Sequence, residues 1–187
     1  MSDKGLSMKL SINLTTQLMI VLSGLLLTAC QHDTTTGENC MQLTAQQAGE
    51  QIVDIYRTAI TETAKLVENQ PDAATIEAQF DALLNRWQKK LLSIGQHVMV
   101  MNGAEKSQVE SAITKVHMEM QYNEQAKQQF TAYSQGTFPY HSTAPDFYLK
   151  LKSINIITQF AFFDLLKKQN KDAEEKWGKW MVPYVCE

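Results

Sequence analysis

Residues 73–101 read AATIEAQFDALLNRWQKKLLSIGQHVMVM. Ile76, Phe80, Leu83, Trp87, Leu91 and Ile94 recur at intervals of three and four, the spacing at which side chains share one face of an α-helix. Glu77, Asp81, Arg86, Lys89 and Lys90 stand between them and supply the opposite, solvated face. A half-buried strand would alternate with period two, and this stretch does not. Pro71-Asp72 precedes it and Asn102-Gly103 follows, a breaker pair at each end.

The same period extends in both directions. Upstream, from about Thr44 to Val67, Thr44 and Gln47 have the spacing of a capping box, and Ala48, Ile52, Ile55, Ala59 and Leu66 recur on one face. Downstream, a third helix is expected from Ala104, or from a Ser107–Glu110 capping box, to Gly136, with Val109, Ile113, Val116, Met120 and Phe130 as its stripe. The loop TFPYHSTA (137–144) leads to Pro145, a residue suited to a first helical turn, and a fourth helix is expected from there to about Trp180. No stretch alternates with period two, and the chain has only four prolines. The expected fold is all-α: one domain over residues 44–187, a four-helix up-down-up-down bundle with both termini at one end.

The amino-terminal segment has a different character. After Lys9, an apolar run from Leu18 to Leu27 has the length of a signal-peptide core and is too short to cross a bilayer as a helix. It ends in Leu27-Thr28-Ala29-Cys30, an apolar residue and two small ones before a cysteine. This resembles the lipobox of bacterial lipoproteins. The resemblance implies cleavage before Cys30, acylation of its thiol, and a protein held to a membrane by lipid chains. It makes residues 1–29 a signal peptide, with Met8 as the expected initiator, and residues 30–43 a lipidated tether. Gln31 stands where an aspartate retains well-studied enterobacterial lipoproteins at the inner membrane, so the expected location is the outer membrane, facing the periplasm. In architecture alone, the mature domain is similar to the helical pilotin-type lipoproteins that escort secretion pores.

The topology gives meaning to the other two cysteines. An up-down-up-down bundle brings the start of its first helix and the end of its fourth to the same end. Cys40 and Cys186 flank those points, and the periplasm is oxidising, so a disulfide between them is expected.

Composition excludes some partners. The formal net charge is −3 and there is no basic block, so neither nucleic acid nor an anionic lipid surface is favoured electrostatically. HExxH, CxxC, CxxCH, GxSxG and P-loop motifs are absent, and no histidine has a glutamate three residues before it, as a carboxylate-bridged di-iron bundle requires. No enzyme activity, cofactor or metal is expected. His97 with Met101, and His117 with Met120, each share a helix face and offer imidazole and thioether to a soft metal. Core packing of the methionines is the preferred reading.

The least ordinary stretch is Ile154–Leu166, where Asp164 is the only charge. Placed on one helical wheel, its apolar side chains cover far more than a single stripe. Phe162 and Leu166 project away from the side that holds Phe160 and Phe163. A wide core covered by the 137–144 loop would account for this. The alternative is a docking surface made of Phe160, Phe162, Phe163 and Leu166. The expected function is a non-enzymatic binding module for another envelope protein: an adaptor, an assembly factor or an inhibitor. A periplasmic immunity protein against a secreted toxin, or a ligand or metal carrier using the bundle interior, is the alternative.

Overall fold

A computed structural model describes residues 41–185. The leader, Cys30, Cys40 and Cys186 lie outside the described residues, as do the signal-peptide and lipobox expectations. Within 41–185 all regular structure is helical. In chain order it consists of α1 (Ala45–Leu66), α2 (Ala73–Met99), α3 (Gly103–Tyr122), α4 (Glu124–Thr137), α5 (Tyr140–Thr143) and α6 (Pro145–Lys152). A 3₁₀ segment (Ser153–Ala161), α7 (Phe163–Gln169), α8 (Ala173–Trp177) and a 3₁₀ turn (Gly178–Trp180) complete it.

The first two helices start and stop where their caps dictate. Thr44 and Gln47 exchange reciprocal cap bonds: the Gln47 N–H donates to Thr44 Oγ1 at 3.2 Å and the Thr44 N–H to Gln47 Oε1 at 3.0 Å. Asp72 caps α2 by accepting the Ala74 N–H at 2.8 Å. Ala48, Ile52 and Ala59 of α1, and Ile76, Phe80, Trp87, Leu91 and Ile94 of α2, are buried in one core. Each large apolar side chain contributes about 1.5–3 kcal/mol on burial. The α3 cap is Asn102 with Glu105, so the helix begins at Gly103, next to the expected Ala104, and the alternative Ser107–Glu110 box is not its cap.

Four continuous helices do not form. The expected third helix breaks at Asn123, whose backbone is extended (φ −91°, ψ 121°). Its N–H still closes α3 on the Glu119 carbonyl at 2.8 Å, while its side chain caps α4 by accepting from the Ala126 N–H at 3.1 Å. The expected fourth helix is five short pieces. The β-branched run of Ile154, Ile156, Ile157 and Thr158 winds as 3₁₀, and extended backbone at Phe162 (φ −127°, ψ 90°) and Asn170 (φ −128°, ψ 107°) divides the arm further.

Helix α1 is central and packs on α2, α3, α4 and the 3₁₀ segment. The principal neighbours of α2 are α1 and the 3₁₀ segment, and those of α3 are α1 and α4. The 137–144 loop covers a different place from the expected one. Tyr140 is buried edge-on against Phe147 and donates its hydroxyl to the Pro71 carbonyl at 2.6 Å, whereas Phe138 is exposed. Lys150 of α6 reaches Glu77 (2.7 Å) and Asp81 (3.1 Å) of α2.

Both ends of the described chain meet at the last turn of α2. The Leu43 N–H donates to His97 Nδ1 at 3.3 Å. The Tyr184 ring stacks on the His97 imidazole with centroids 3.8 Å apart, and the Tyr184 N–H donates to the Gln96 carbonyl at 3.1 Å. Accepting the Leu43 bond requires an unprotonated Nδ1, and burial lowers the His97 pKa below the ordinary histidine value. With the folded pKa depressed, this stabilisation is complete above about pH 6.5 and is lost as pH falls through the folded value. Urea unfolding of the wild type should therefore show stability declining from pH 7 to 5, with a smaller decline in His97→Gln. Parallel declines would remove His97 from this role.

Candidate functional site

Because α2 and α3 both pack on α1, a groove of about 540 Å³ opens between the last turns of α2, the face of α3 from Lys106 to His117, and the 3₁₀ segment with α7. Gly95 lines it. A Cβ there would lie 2.6 Å from Phe163 Cε1 and 3.2 Å from the Phe160 carbonyl oxygen, so only glycine lets the Phe163 ring lie directly against α2. Phe163 is thereby buried beneath the groove, and half-buried Phe162 lines its wall at the point where the 3₁₀ segment gives way to α7. Met99, Ile156 and Leu165 also line it and are exposed, Ile156 at 54%.

Two amides accompany this apolar surface. Asn155 and Gln159 line the groove, and Asn155 Oδ1 and Gln159 Oε1 are buried with no hydrogen-bond partner among the described residues. Gln159 as a whole is only 7% exposed. A buried, unpaired amide oxygen costs about 1–3 kcal/mol, so each gains by meeting a donor.

The charged groups are mixed in sign. Lys106 and Glu110 come from α3, and Asp164 and Lys167 from α7. Lys167 is engaged with Glu174 at 2.7 Å, whereas Asp164 makes no ion pair among the described residues. His117 stands edge-on to Tyr56 of α1 at 5.1 Å, and partial desolvation of its otherwise exposed ring lowers its pKa, which favours the neutral form. The groove thus combines an apolar lining with charged groups of both signs.

The structure redistributes the residues singled out from sequence. Phe160 (6% exposed), Phe163 (6%) and Leu166 (0%) belong to the core, so they are corrected from surface contacts to packing residues. The cause is the break at Phe162. A helical wheel assumes 100° per residue throughout, and neither the 3₁₀ segment nor the extended Phe162 obeys it. Phe162 alone of the four lines the groove wall as a partly exposed side chain. Of the two imidazole–thioether pairs, Met101 and Met120 are buried in the core, His97 accepts from the Leu43 N–H and stacks on Tyr184, and His117 is exposed on α3. Among the described residues no group of three or more His, Cys, Asp or Glu is placed to hold a metal ion.

Sequence reasoning missed Ile156, Met99, Leu165, Asn155 and Gln159. The last two carried a usable signal, being amides four apart within an otherwise apolar run. No helix among the described residues is long and apolar enough to cross a membrane. No protein-family model matches the chain, and neither does any curated protein or solved structure.

Proposed function

We propose that the chain is a lipoprotein, acylated on Cys30 and held at the outer membrane facing the periplasm, whose helical domain is a non-enzymatic docking module for another envelope protein. The observation that carries the docking half is the exposed apolar lining of Met99, Ile156 and Leu165 around Phe162. Scattered single apolar residues need no explanation, but several converging on one concave site favour a binding role. The anchoring half rests on the LTAC sequence at residues 27–30.

The proposed arrangement keeps an up-down-up-down order, with α3 and α4 as its third member and the segmented carboxy-terminal arm as its fourth. Leu43 and Tyr184 converging on one turn of α2 support placing both ends together, and with them a Cys40–Cys186 disulfide.

Two experiments test the two halves. In the anchor test, Cys30→Ala should lose a palmitate label and accumulate at precursor size, because only the thiol can take the diacylglycerol. A labelled, normally sized variant would sink the anchor. In the docking test, a photocrosslinker replacing Ile156 in the anchored protein should give a discrete envelope-protein adduct that the same group at exposed Glu175 does not. Adducts that are equal at both positions, or absent from both, count against docking. The groove's volume also lies in the range of small-ligand sites, which favours a carrier as the second reading. Mass spectrometry of an organic extract of the purified protein separates the two: a stoichiometric small molecule supports the carrier.

A further inference from the structure

We infer that the end of the domain where its two chain ends meet is a lipid-facing surface, laid against the bilayer that holds the acylated Cys30. The inference rests on the anchoring half of the proposed function and adds an orientation to it.

Three stretches build this end. The Leu43 N–H donates to His97 Nδ1 at 3.3 Å, and the Tyr184 ring stacks on the same imidazole. Five large apolar side chains stand within three residues of these contacts and are exposed: Met41 (72%), Met99, Val100, Val182 and Val185 (70%). Eleven such side chains are exposed among the described residues, so nearly half of them gather at this one place. Residues 41–43, 96–102 and 181–185 also contain no Asp, Glu, Lys or Arg, although 20% of the chain is charged. Partly exposed Trp177 and Trp180 come just before Val182, and the 3₁₀ turn that holds Trp180 packs on α2. Amphipathic aromatic rings concentrate where hydrocarbon meets water.

The tether identifies the occupant. The described chain begins at Met41, within this patch, and Cys30 stands eleven residues before it. Fully extended, eleven residues span about 36–40 Å, and every shorter conformation brings Met41 nearer to the acyl chains. The start of α2 is a further 40 Å or so away, since that helix has 27 residues. The anchor therefore presents the uncharged apolar end to the membrane. Because lipidation already supplies attachment, an apolar contact too weak to bind a vesicle alone is enough to orient the domain. With no charged side chain in these stretches, the contact draws on apolar burial and not on anionic head groups.

The test reconstitutes the acylated mature protein in phosphatidylcholine vesicles, with dansylalanine incorporated at position 182 or at position 122. Tyr122 is exposed (79%) and ends α3, about 30 Å along that helix from the patch. Emission from position 182 should shift to the blue. Lipids brominated along the acyl chain should quench it about threefold more than emission from position 122, as expected for groups about 5–10 Å into the interface. With the probe moved to position 41, the double variant Val182→Asp, Val185→Asp should lower quenching to the level of position 122. Both residues are exposed, so its thermal unfolding should match that of the parent. High salt should leave the quenching unchanged.

Equal quenching at 182 and 122, quenching that survives in the double variant, or quenching lost in high salt would each overturn the inference. So would a blue shift that grows with protein concentration and ignores brominated lipid, which assigns the patch to a second copy of the chain. If the protein floats with the vesicles while position 182 is not quenched, the anchor stands and the lipid-facing surface falls. If Cys30 takes no palmitate label and the protein does not float, both fall.

Discussion

Leu166→Ala is expected to cost about 2–5 kcal/mol of unfolding free energy, and Phe163→Ala about 3–5 kcal/mol, whereas Phe162→Ala should cost only about 1 kcal/mol. Leu166 has no exposed surface and Phe163 lies on Gly95, so truncating either leaves a cavity that its neighbours cannot fill without moving. Phe162 is half-buried, and its ring forms part of a groove wall that water already reaches. The informative quantity is the difference between positions 162 and 166. They are four apart, and on one uninterrupted α-helix they would share a face and respond alike. The extended backbone at Phe162 separates them. Urea unfolding with an unchanged m-value gives the three numbers directly. Equal losses at 162 and 166 would restore a continuous helix through this region, and with it the loss of the groove wall.

The stretches that sequence described well are those in which one signal dominates. For α1 and α2, the stripe, the caps and the breakers agree, so the expected Ala73–Met101 differs from the observed α2 by only two residues at its end. Asn123 shows how a continuous period hides a break. The apolar stripe runs on from Met120 to Phe130, yet a single side chain that can accept from the Ala126 N–H is enough to end one helix and begin another. Its cost is a few lost intrahelical bonds, which hydrophobic periodicity does not register.

The carboxy-terminal arm departs from its expected form for a related reason. Ile154–Leu166 is apolar on nearly every side because it packs against α1, α2, α6 and α7 in turn and leaves one edge open, not because one long helix is buried all round. The wheel assigned exposure to Leu166 and sidedness to Phe160, and both assignments depended on a constant 100° step. The same failure hid the candidate site. Ile156 and Phe162 are brought to one groove with Met99 of α2 and Ile113 of α3 by tertiary packing, whereas a simple bundle has α2 and α3 facing each other across the very space that the groove occupies.

Replacing Cys186 with serine is expected to lower the stability of the oxidised protein by up to about 5 kcal/mol, because a Cys40–Cys186 bond would close a loop of nearly the whole domain. The described residues supply the geometric case. Leu43 and Tyr184 both contact His97, one through a backbone hydrogen bond and the other through a stacked ring. Cys40 is three residues before Leu43 and Cys186 two after Tyr184. Extended chain reaches about 10 Å and about 7 Å over those distances, which leaves ample room to bring the Cα atoms within the 4.4–6.8 Å that a disulfide needs. Three comparisons isolate the bond from the side chains. Cys40→Ser should match Cys186→Ser, the double variant should be no less stable than either, and reduced wild type should coincide with all three, since every route removes the same single crosslink. Additive losses in the double variant would assign the effect to packing at each residue instead. Peptide mapping without reductant should recover the peptides that hold Cys40 and Cys186 as one linked species. Two thiols freely alkylated without reductant would remove the bond, and with it the strongest support for a bundle whose ends are joined beside the last turn of α2.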